Sequence, residues 1–153
     1  MKPTEPSYLT NRAASYMALK CFRLALADCQ QAAVLQSTEP SSKTLIRLAR
    51  CHLALGSSGP ALKTLHAVLA IGPTNAAALQ LQDKVLELEA HLCDFDNAKR
   101  KKKWGMARLA LDKCLQSIEG EGTEVPTQWR LYKIKLELAC TNWDAANIAA
   151  RYV

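Results

Sequence analysis

The chain repeats itself, and the repeat limits what the chain can fold into. When residues 11–36 (NRAASYMALKCFRLALADCQQAAVLQ) are written above residues 47–75 (RLARCHLALGSSGPALKTLHAVLAIGPTN), identical or similar residues coincide at an offset of 36 positions, as Ala25 does with Ala61. A period of about 34 residues is typical of units made of two helices, and one such unit cannot bury its apolar face alone. The sequence therefore predicts an array of stacked helical units.

Each unit is predicted to be two short helices joined by a tight turn. Apolar residues recur at helical spacing on both helices. In the first unit they are Leu9, Ala13, Tyr16 and Leu19, followed by Phe22, Ala25, Cys29 and Ala32. Two antiparallel helices approach closely only where their side chains are small, so Ala13 and Ala25 mark the crossing point and Phe22 fills the space beside the turn. Aromatic residues make up only 6% of the chain and strand-like alternation is absent, so the predicted fold class is all-α.

A third unit is predicted after residue 75. Residues 76–96 indicate a lengthened helix that bridges into this unit, whose second helix is WGMARLALDKCLQSI. In that helix Trp104, Ala107, Leu111 and Cys114 take the positions that Phe22, Ala25, Cys29 and Ala32 have in the first unit. The segment NAKRKKK is predicted to be an insertion in the turn, and Asp94 and Asp96 are predicted to be an isolated pair in a loop.

A partial fourth unit is predicted after a loop at 120–126, which contains two glycines and a proline. Trp129, Tyr132 and Leu136 share one face of its first helix, and Trp143 and Ala146 begin its second helix. The predicted organisation is two units in 1–75, the bridging helix and third unit in 76–119, and the loop and fourth unit in 120–153. Repeat arrays normally end in a polar capping helix. Neither end of this sequence has the pattern of one, so we expect an array truncated at both ends. Such a chain is expected to self-associate through apolar faces around Leu9 and Tyr16 and around Trp143 and Ile148.

Charge and cysteine content restrict the class of protein further. The net charge of +6 favours acidic partners. The six cysteines include no CxxC pair and lie among Ala and Leu, which predicts buried free thiols. No signal peptide begins the chain, and no apolar run approaches the ~20 residues that span a bilayer. The expected location is cytoplasmic, with the nucleus as the alternative, and no membrane partner is expected.

The repeat resembles the tetratricopeptide repeat (TPR) family. Residues 6–39 and 42–75 each carry most of that family's pattern, and IGPTN at 71–75 is similar to its closing turn. The resemblance implies an α-solenoid whose concave face, lined by the first helix of each unit, binds peptides.

One helix of the second unit carries a stripe of cations. Lys43, Arg47 and Arg50 share one face at helical spacing, and no acidic residue lies between Ser41 and Leu55. A binding site for an anion is one interpretation, and a merely basic solvated surface is the other. The predicted peptide-binding residues are Asn11, Lys43, Arg47 and Arg50.

The stretch YLTNRAASYMALKCFRLALADCQQAAVL resembles the middle repeat of the TPR domains that clamp a terminal carboxylate. Such a clamp has five positions. Asn11, in NRAA, matches one of them, and Lys43 and Arg47, in KTLIRLA, match two more. The remaining Lys and Asn would belong to a preceding repeat. The resemblance implies binding to the acidic C-terminal tails of the seventy- and ninety-kilodalton heat-shock chaperones. Arg can grip carboxylates with two donors, Lys acts as a point charge and Asn supplies a neutral donor.

Two such repeats followed by an extended helix resemble the TPR region of a J-domain (DnaJ-type) co-chaperone. The stretches that carry this resemblance are NRAASYMALKCFRLALADCQQAAVL and RLARCHLALG. The His-Pro-Asp motif of the J-domain is absent, because no His in the sequence precedes a Pro. This chain is therefore not expected to stimulate a chaperone ATPase by itself.

Other classes of function are weighed against this one. A general TPR scaffold that binds an internal segment of an assembly partner needs no free C-terminus, which separates it from a clamp. The five consecutive cations Lys99–Lys103 are either a solvated turn or a nuclear-localisation or nucleic-acid segment. Nucleic acid is disfavoured because no aromatic platform accompanies the run, Trp104 being assigned to the core. No catalytic or phosphate-binding motif occurs, so neither an enzyme nor a cofactor or metal is predicted.

Overall fold

The computed structural model describes residues 5–140 and residue 150. The described residues form seven α-helices and one short 3-10 turn, Gly122–Glu124, with no strand among them. The helices are α1 Pro6–Ala18, α2 Phe22–Leu35, α3 Ser42–Ala54, α4 Ser58–Ile71, α5 Ala76–Arg100, α6 Trp104–Gln116 and α7 Thr127–Ala139.

The helices stack as consecutive antiparallel pairs. Helices α1 and α2, α3 and α4, and α5 and α6 pack against each other, while α2 packs against α3, α4 against α5, and α6 against α7. This arrangement confirms the all-α helical array. We call these three pairs pair one, pair two and pair three. The division of the chain at residues 75 and 119 stays a prediction.

The three pairs share one turn geometry. Lys20, Gly56 and Lys102 each take a left-handed backbone conformation, with φ of 56°, 72° and 54°. In each turn the N–H of this residue donates to the carbonyl three positions earlier, and the next N–H donates to the carbonyl five positions before it. This double hydrogen bond is the Schellman motif that ends many helices. Because the third turn follows α5, the last half of α5 corresponds to the whole of α1 or α3.

Small residues at the crossing of pair one are buried as predicted. Ala13 and Ala25 have no exposed surface, which allows α1 and α2 to touch. Leu19 was expected in the same stripe but is 71% exposed, because α1 ends at Ala18 and the chain turns away. Leu9 was expected on an exposed apolar face and is instead 1% exposed. Self-association stays a prediction, without Leu9 as part of its surface.

The lengthened helix is confirmed and runs for 25 residues. Its first N–H groups are capped by Asn75, whose side chain accepts a hydrogen bond from the Ala78 N–H at 3.1 Å. The first half of α5 contributes Val85 and Leu88 to the core of pair two. The second half contributes Phe95 to a separate cluster with α6 and α7. The helix therefore carries the array from pair two to pair three.

The basic run is placed differently from the prediction. Asp94 and Asp96 lie within α5 and not in a loop, and Lys99 and Arg100 form the last turn of that helix, so only residues 101–103 form the connection. Cations interact favourably with the carbonyl end of a helix, which explains why a run of them continues α5 and does not interrupt it.

The predicted core position of Trp104 is also wrong. This side chain is 40% exposed, whereas Phe22 at the matching position of pair one is 1% exposed. Trp104 is the first residue of α6 and lies at the edge of a small apolar cavity that Phe95 and Tyr132 also line. The wide indole ring is thus only half covered.

None of the six cysteines, all of which lie within the described residues, forms a disulfide, as predicted, but they differ in burial. Cys29, Cys51 and Cys114 are buried, whereas Cys93 is exposed. In α7, Leu136 is buried as expected for the fourth unit. Trp143 and Ala146, which were assigned to its second helix, and Ile148, which was expected on an exposed apolar face, lie outside the described residues. No described helix has both the length and the apolar character needed to cross a membrane.

Candidate peptide-binding face

A hydrogen bond between α3 and α1 places one of the predicted binding residues, Arg47, beside the backbone of another, Asn11. The Arg47 guanidinium donates a hydrogen bond from Nη1 to the Thr10 carbonyl at 2.7 Å. Because Thr10 directly precedes Asn11, this contact holds the charge of Arg47 beside the backbone of Asn11. Lys43 lies one helical turn before Arg47 on α3. The side chains of Asn11 and Lys43 are exposed. We call Asn11, Lys43 and Arg47 the α1–α3 face.

Arg47 keeps most of its hydrogen-bonding capacity. A guanidinium has five N–H donors. Within residues 5–140, the Arg47 side chain makes one hydrogen bond, which is the one to the Thr10 carbonyl. Arg47 is half-buried, so its charge is partly shielded from water. An anion at this face would therefore meet a positioned guanidinium with several free donors.

Arg12, which neighbours Asn11, has a structural role. Its Nε and Nη2 atoms donate to the two carboxylate oxygens of Asp28, both at 2.7 Å. Asp28 is 5% exposed, and the hydrogen bonds to it raise the pKa of Arg12. The guanidinium also lies over the Tyr8 ring, 5.3 Å from its centroid. Arg12 thereby ties α1 to α2 and fixes the helix that presents Asn11.

The structure places Arg50 in a different environment from the α1–α3 face. Its Nε and Nη2 atoms donate to the two carboxylate oxygens of Glu119 at 2.9 and 2.8 Å. These hydrogen bonds lower the pKa of Glu119 and raise that of Arg50. An internal carboxylate thus occupies the Arg50 position that the sequence assigned to a peptide.

Glu119 belongs to an acidic segment, residues 119–124, that lies across the turns of pairs one and two. Glu121 forms an ion pair with Lys20. Glu124 accepts a hydrogen bond from the Arg23 N–H at 3.1 Å, and the Arg23 guanidinium donates to the Thr123 carbonyl at 2.8 Å. Three cations of the first two pairs, including Arg50, are therefore matched by this segment.

Glycines allow the acidic segment to approach so closely. The Gly120 N–H donates to the Ala54 carbonyl at 2.9 Å, and a Cβ at Gly120 would lie 2.3 Å from that oxygen. Only glycine fits there without moving the backbone. Next to it, Trp129 packs over Gly56, where a Cβ would lie 2.9 Å from the indole ring. Sequence reasoning identified 120–126 only as a loop, because its partners lie about 70 to 100 positions away.

No group of three or more His, Cys, Asp or Glu side chains is positioned to hold a metal ion within the ranges that the structure describes. The buried thiols of Cys29 and Cys51 are in contact between α2 and α3. Their hydrogen bond lowers the pKa of Cys29, while it raises that of Cys51 together with burial. Neither side chain has exposed surface, so both are part of the packing between α2 and α3.

Comparison with known proteins shows a similarity that covers part of the chain. Over 80 residues the chain is 38% identical to DnaJ homolog subfamily C member 7 from Mus musculus, and equally to the protein of that name from Homo sapiens. The aligned stretch is 52% of this chain and 16% of each relative, so the chain spans about a sixth of the length of the curated relatives it matches. No family model matches the chain, and no solved structure matches it.

Proposed function

We propose that this chain is a protein-interaction module of a co-chaperone that binds the acidic C-terminal tail of a heat-shock chaperone at the α1–α3 face. The observation that carries the proposal is the position of Arg47, whose guanidinium is held at the Thr10 carbonyl beside Asn11. The partial similarity to a DnaJ homolog supports a chaperone-related role in protein interaction.

The chemistry of the face suits a chain terminus that ends in aspartate. Such a terminus presents two carboxylates within one residue. Arg47 can grip one of them with two parallel N–H donors, and Lys43 can neutralise the other as a point charge. Asn11 supplies a neutral donor, which is less expensive to desolvate than a third cation.

Arg50 contributes to this site only after Glu119 releases it. Both carboxylate oxygens of Glu119 accept from Arg50, so a peptide carboxylate must displace an existing pair to reach that guanidinium. We therefore assign Arg50 a secondary role and the α1–α3 face the primary one.

The test is fluorescence anisotropy with a labelled peptide that ends in Glu-Glu-Val-Asp, compared with the same peptide amidated at its C-terminus. Hydrogen bonds to charged groups contribute about 1.5–3 kcal/mol, and exposure and salt reduce this. We expect weak binding that Lys43→Ala lowers about 3-fold and Arg47→Ala about 10-fold. Lys63→Ala, which removes an exposed cation from α4, is the matched control and should leave binding unchanged.

Amidation separates the clamp from the alternative. It removes the terminal charge and leaves every side chain of the peptide in place. Equal binding of the free and amidated peptides would reject the clamp and favour a TPR scaffold that binds an internal segment of an assembly partner. Thermal unfolding followed by circular dichroism checks that the Arg47→Ala variant remains folded, since this change also removes the bond to Thr10.

A further inference from the structure

A second surface of the molecule, away from the α1–α3 face, has the shape and charge of a docking groove. It is an open groove of about 450 Å³ between the second half of α5 and α6. Asp94, Asn97 and Lys101 line it from the α5 side, and Met106, Leu109 and Lys113 line it from α6. We call it the α5–α6 groove.

The α6 side of the groove is apolar and exposed. Met106 is 59% exposed and Leu109 is 60% exposed, and they lie three positions apart on one face of the helix. The floor between the helices is formed by Ala98 and Ala110, whose small side chains make it shallow. Two large apolar side chains beside a shallow floor resemble one half of a helix–helix contact.

The rim of the groove carries unpaired positive charge. Lys101, Lys103 and Lys113 line it, and no side chain within residues 5–140 forms an ion pair with any of them. The nearby Asp96 pairs with Lys99 at 3.1 Å, which leaves Asp94 as the acidic residue in the groove. The local charge therefore favours an acidic occupant.

Pair two shows what covers the α3 positions that match the α5 side of this groove. Measured from the shared turn, Leu48 and Cys51 of α3 occupy the positions that Asp94 and Asn97 have in α5. Leu48 and Cys51 are buried in a cluster with residues of the preceding helix α2, including Cys29. In pair three, Val85 and Leu88 of the first half of α5 share a core cluster with α4, whereas Phe95 of the second half belongs to a cluster with α6 and α7. A helix is thus the element that packs on the α3 counterpart of the α5 side, whereas Pro60 and Lys63, which match Met106 and Leu109 of the α6 side, are exposed in pair two.

From this placement we infer that the α5–α6 groove binds an acidic amphipathic helix of a partner protein. Its apolar side chains pack on Met106 and Leu109, and its carboxylates pair with Lys101, Lys103 and Lys113. A second copy of this chain is poorly suited as the occupant of this basic groove, because the chain itself has a net charge of +6; the self-association predicted above involves other surfaces. The inference does not depend on the proposed peptide site, which uses residues of α1 and α3.

The test uses the full 153-residue chain and a labelled synthetic peptide with leucine at helical i, i+3, i+4 and i+7 positions and glutamate on the remaining face. A peptide of the same composition with a scrambled order, which has no apolar face, is the control. We expect at least 10-fold weaker binding of the scrambled peptide. Backbone NMR shifts caused by the helical peptide should map to residues 94–113 and not to α1 or α3.

Two sets of variants separate the apolar and the charged contributions. Met106→Ala with Leu109→Ala should weaken binding about 5-fold or more, while Val34→Ala, which trims an exposed apolar residue of α2, should have no effect. The double variant Lys103→Glu with Lys113→Glu should abolish binding. Binding by the wild type should weaken as salt is added. Arg47→Ala should leave binding unchanged, so failure here is distinguishable from failure of the proposed function.

Two outcomes would overturn the inference. Equal binding of the helical and scrambled peptides would show that the groove recognises charge alone. Binding of a single-stranded oligothymidylate or of phosphatidylserine vesicles that needs the lysines and survives the Met106→Ala, Leu109→Ala change would identify a nucleic-acid or lipid surface instead.

Discussion

Pairs two and three are built on the same inner positions and differ in what surrounds them. Ala61 and Ala107 have no exposed surface at the crossing of their helices, and Leu65 and Leu111 are buried one turn further along. The flanks differ, because the side of α3 that faces pair one is apolar, whereas the matching side of α5 is polar. The residue types at inner positions are thus determined by the geometry of a single pair. The residue types at flanking positions depend on whether another pair packs against them.

Exchanging the flanking residues of the two pairs is expected to have the largest effect on stability. Leu48 is 9% exposed, so Leu48→Asp removes a core side chain and buries a carboxylate; we expect it to lower the free energy of unfolding by at least about 3 kcal/mol. Asp94 is exposed, so the reciprocal Asp94→Leu should change stability by less than about 0.5 kcal/mol. Urea unfolding of both variants measures this difference. Similar losses in the two variants would mean that the flank of α5 is packed like that of α3.

The shared turn provides a second, smaller test. Lysine occupies the left-handed position in turns one and three, but Gly56 in turn two lies beneath Trp129. Gly56→Lys introduces left-handed strain of about 1–2 kcal/mol and an overpacking cost of about 1–3 kcal/mol. We expect a loss of about 2–5 kcal/mol in urea unfolding.

Lys102→Gly is the matched control for this change. It relieves the left-handed strain of a non-glycine residue and adds backbone freedom to the unfolded chain, two effects that nearly cancel. We expect a change in stability within about 1 kcal/mol. If Gly56→Lys cost no more than the left-handed strain alone, the packing of Trp129 over the turn would be refuted.

The sequence predicted the fold well because the repeat is a local pattern. The spacing of Ala13, Ala25 and their equivalents indicates the helix pairs directly, and the lengthened α5 follows from an uninterrupted helical period. Burial at helix ends was harder to predict: Leu19 and Trp104 continue the apolar spacing, but each lies where its helix begins or ends.

The candidate site was predicted only in part, since spacing shows which side chains share a helix face and not where each one points. Lys43, Arg47 and Arg50 form one stripe in the sequence. In the structure Arg47 turns to the Thr10 carbonyl and Arg50 to Glu119. The acidic segment comes from a loop 69 positions after Arg50, so no local pattern reveals the pairing.

The smallest expected effect concerns the acidic segment, which covers the turns of pairs one and two but not that of pair three. Glu119→Gln removes the charge of the pair with Arg50 and keeps the shape of the side chain. Exposed ion pairs contribute about 0.2–1 kcal/mol, so we expect a loss of that size in the free energy of unfolding at pH 7. The control is Lys102→Ala in the third turn, which the acidic segment does not cover. Its effect on the free energy of unfolding should not vary with pH in the way described next.

The pH dependence follows from the lowered pKa of Glu119 in the folded state, which is caused by the hydrogen bonds from Arg50. The unfolded chain binds a proton at higher pH than the folded chain does. The contribution of the pair is therefore fully present above the ordinary pKa of glutamate, about 4.3. It is lost as the pH falls through the lowered pKa of the folded protein. Urea unfolding of the wild type and of Glu119→Gln should thus converge in acid, and a constant difference down to low pH would contradict the pairing.

Glu119→Gln also links the acidic segment to peptide binding. With its carboxylate neutralised, Glu119 no longer competes for the guanidinium of Arg50, which becomes available to a peptide carboxylate beside the α1–α3 face. We expect the affinity for the free Glu-Glu-Val-Asp peptide to rise about 2- to 5-fold, which corresponds to the strength of one exposed pair. In the Arg50→Ala background the same change should have no effect on binding. An equal gain in both backgrounds would show that the segment acts through net charge and not through Arg50.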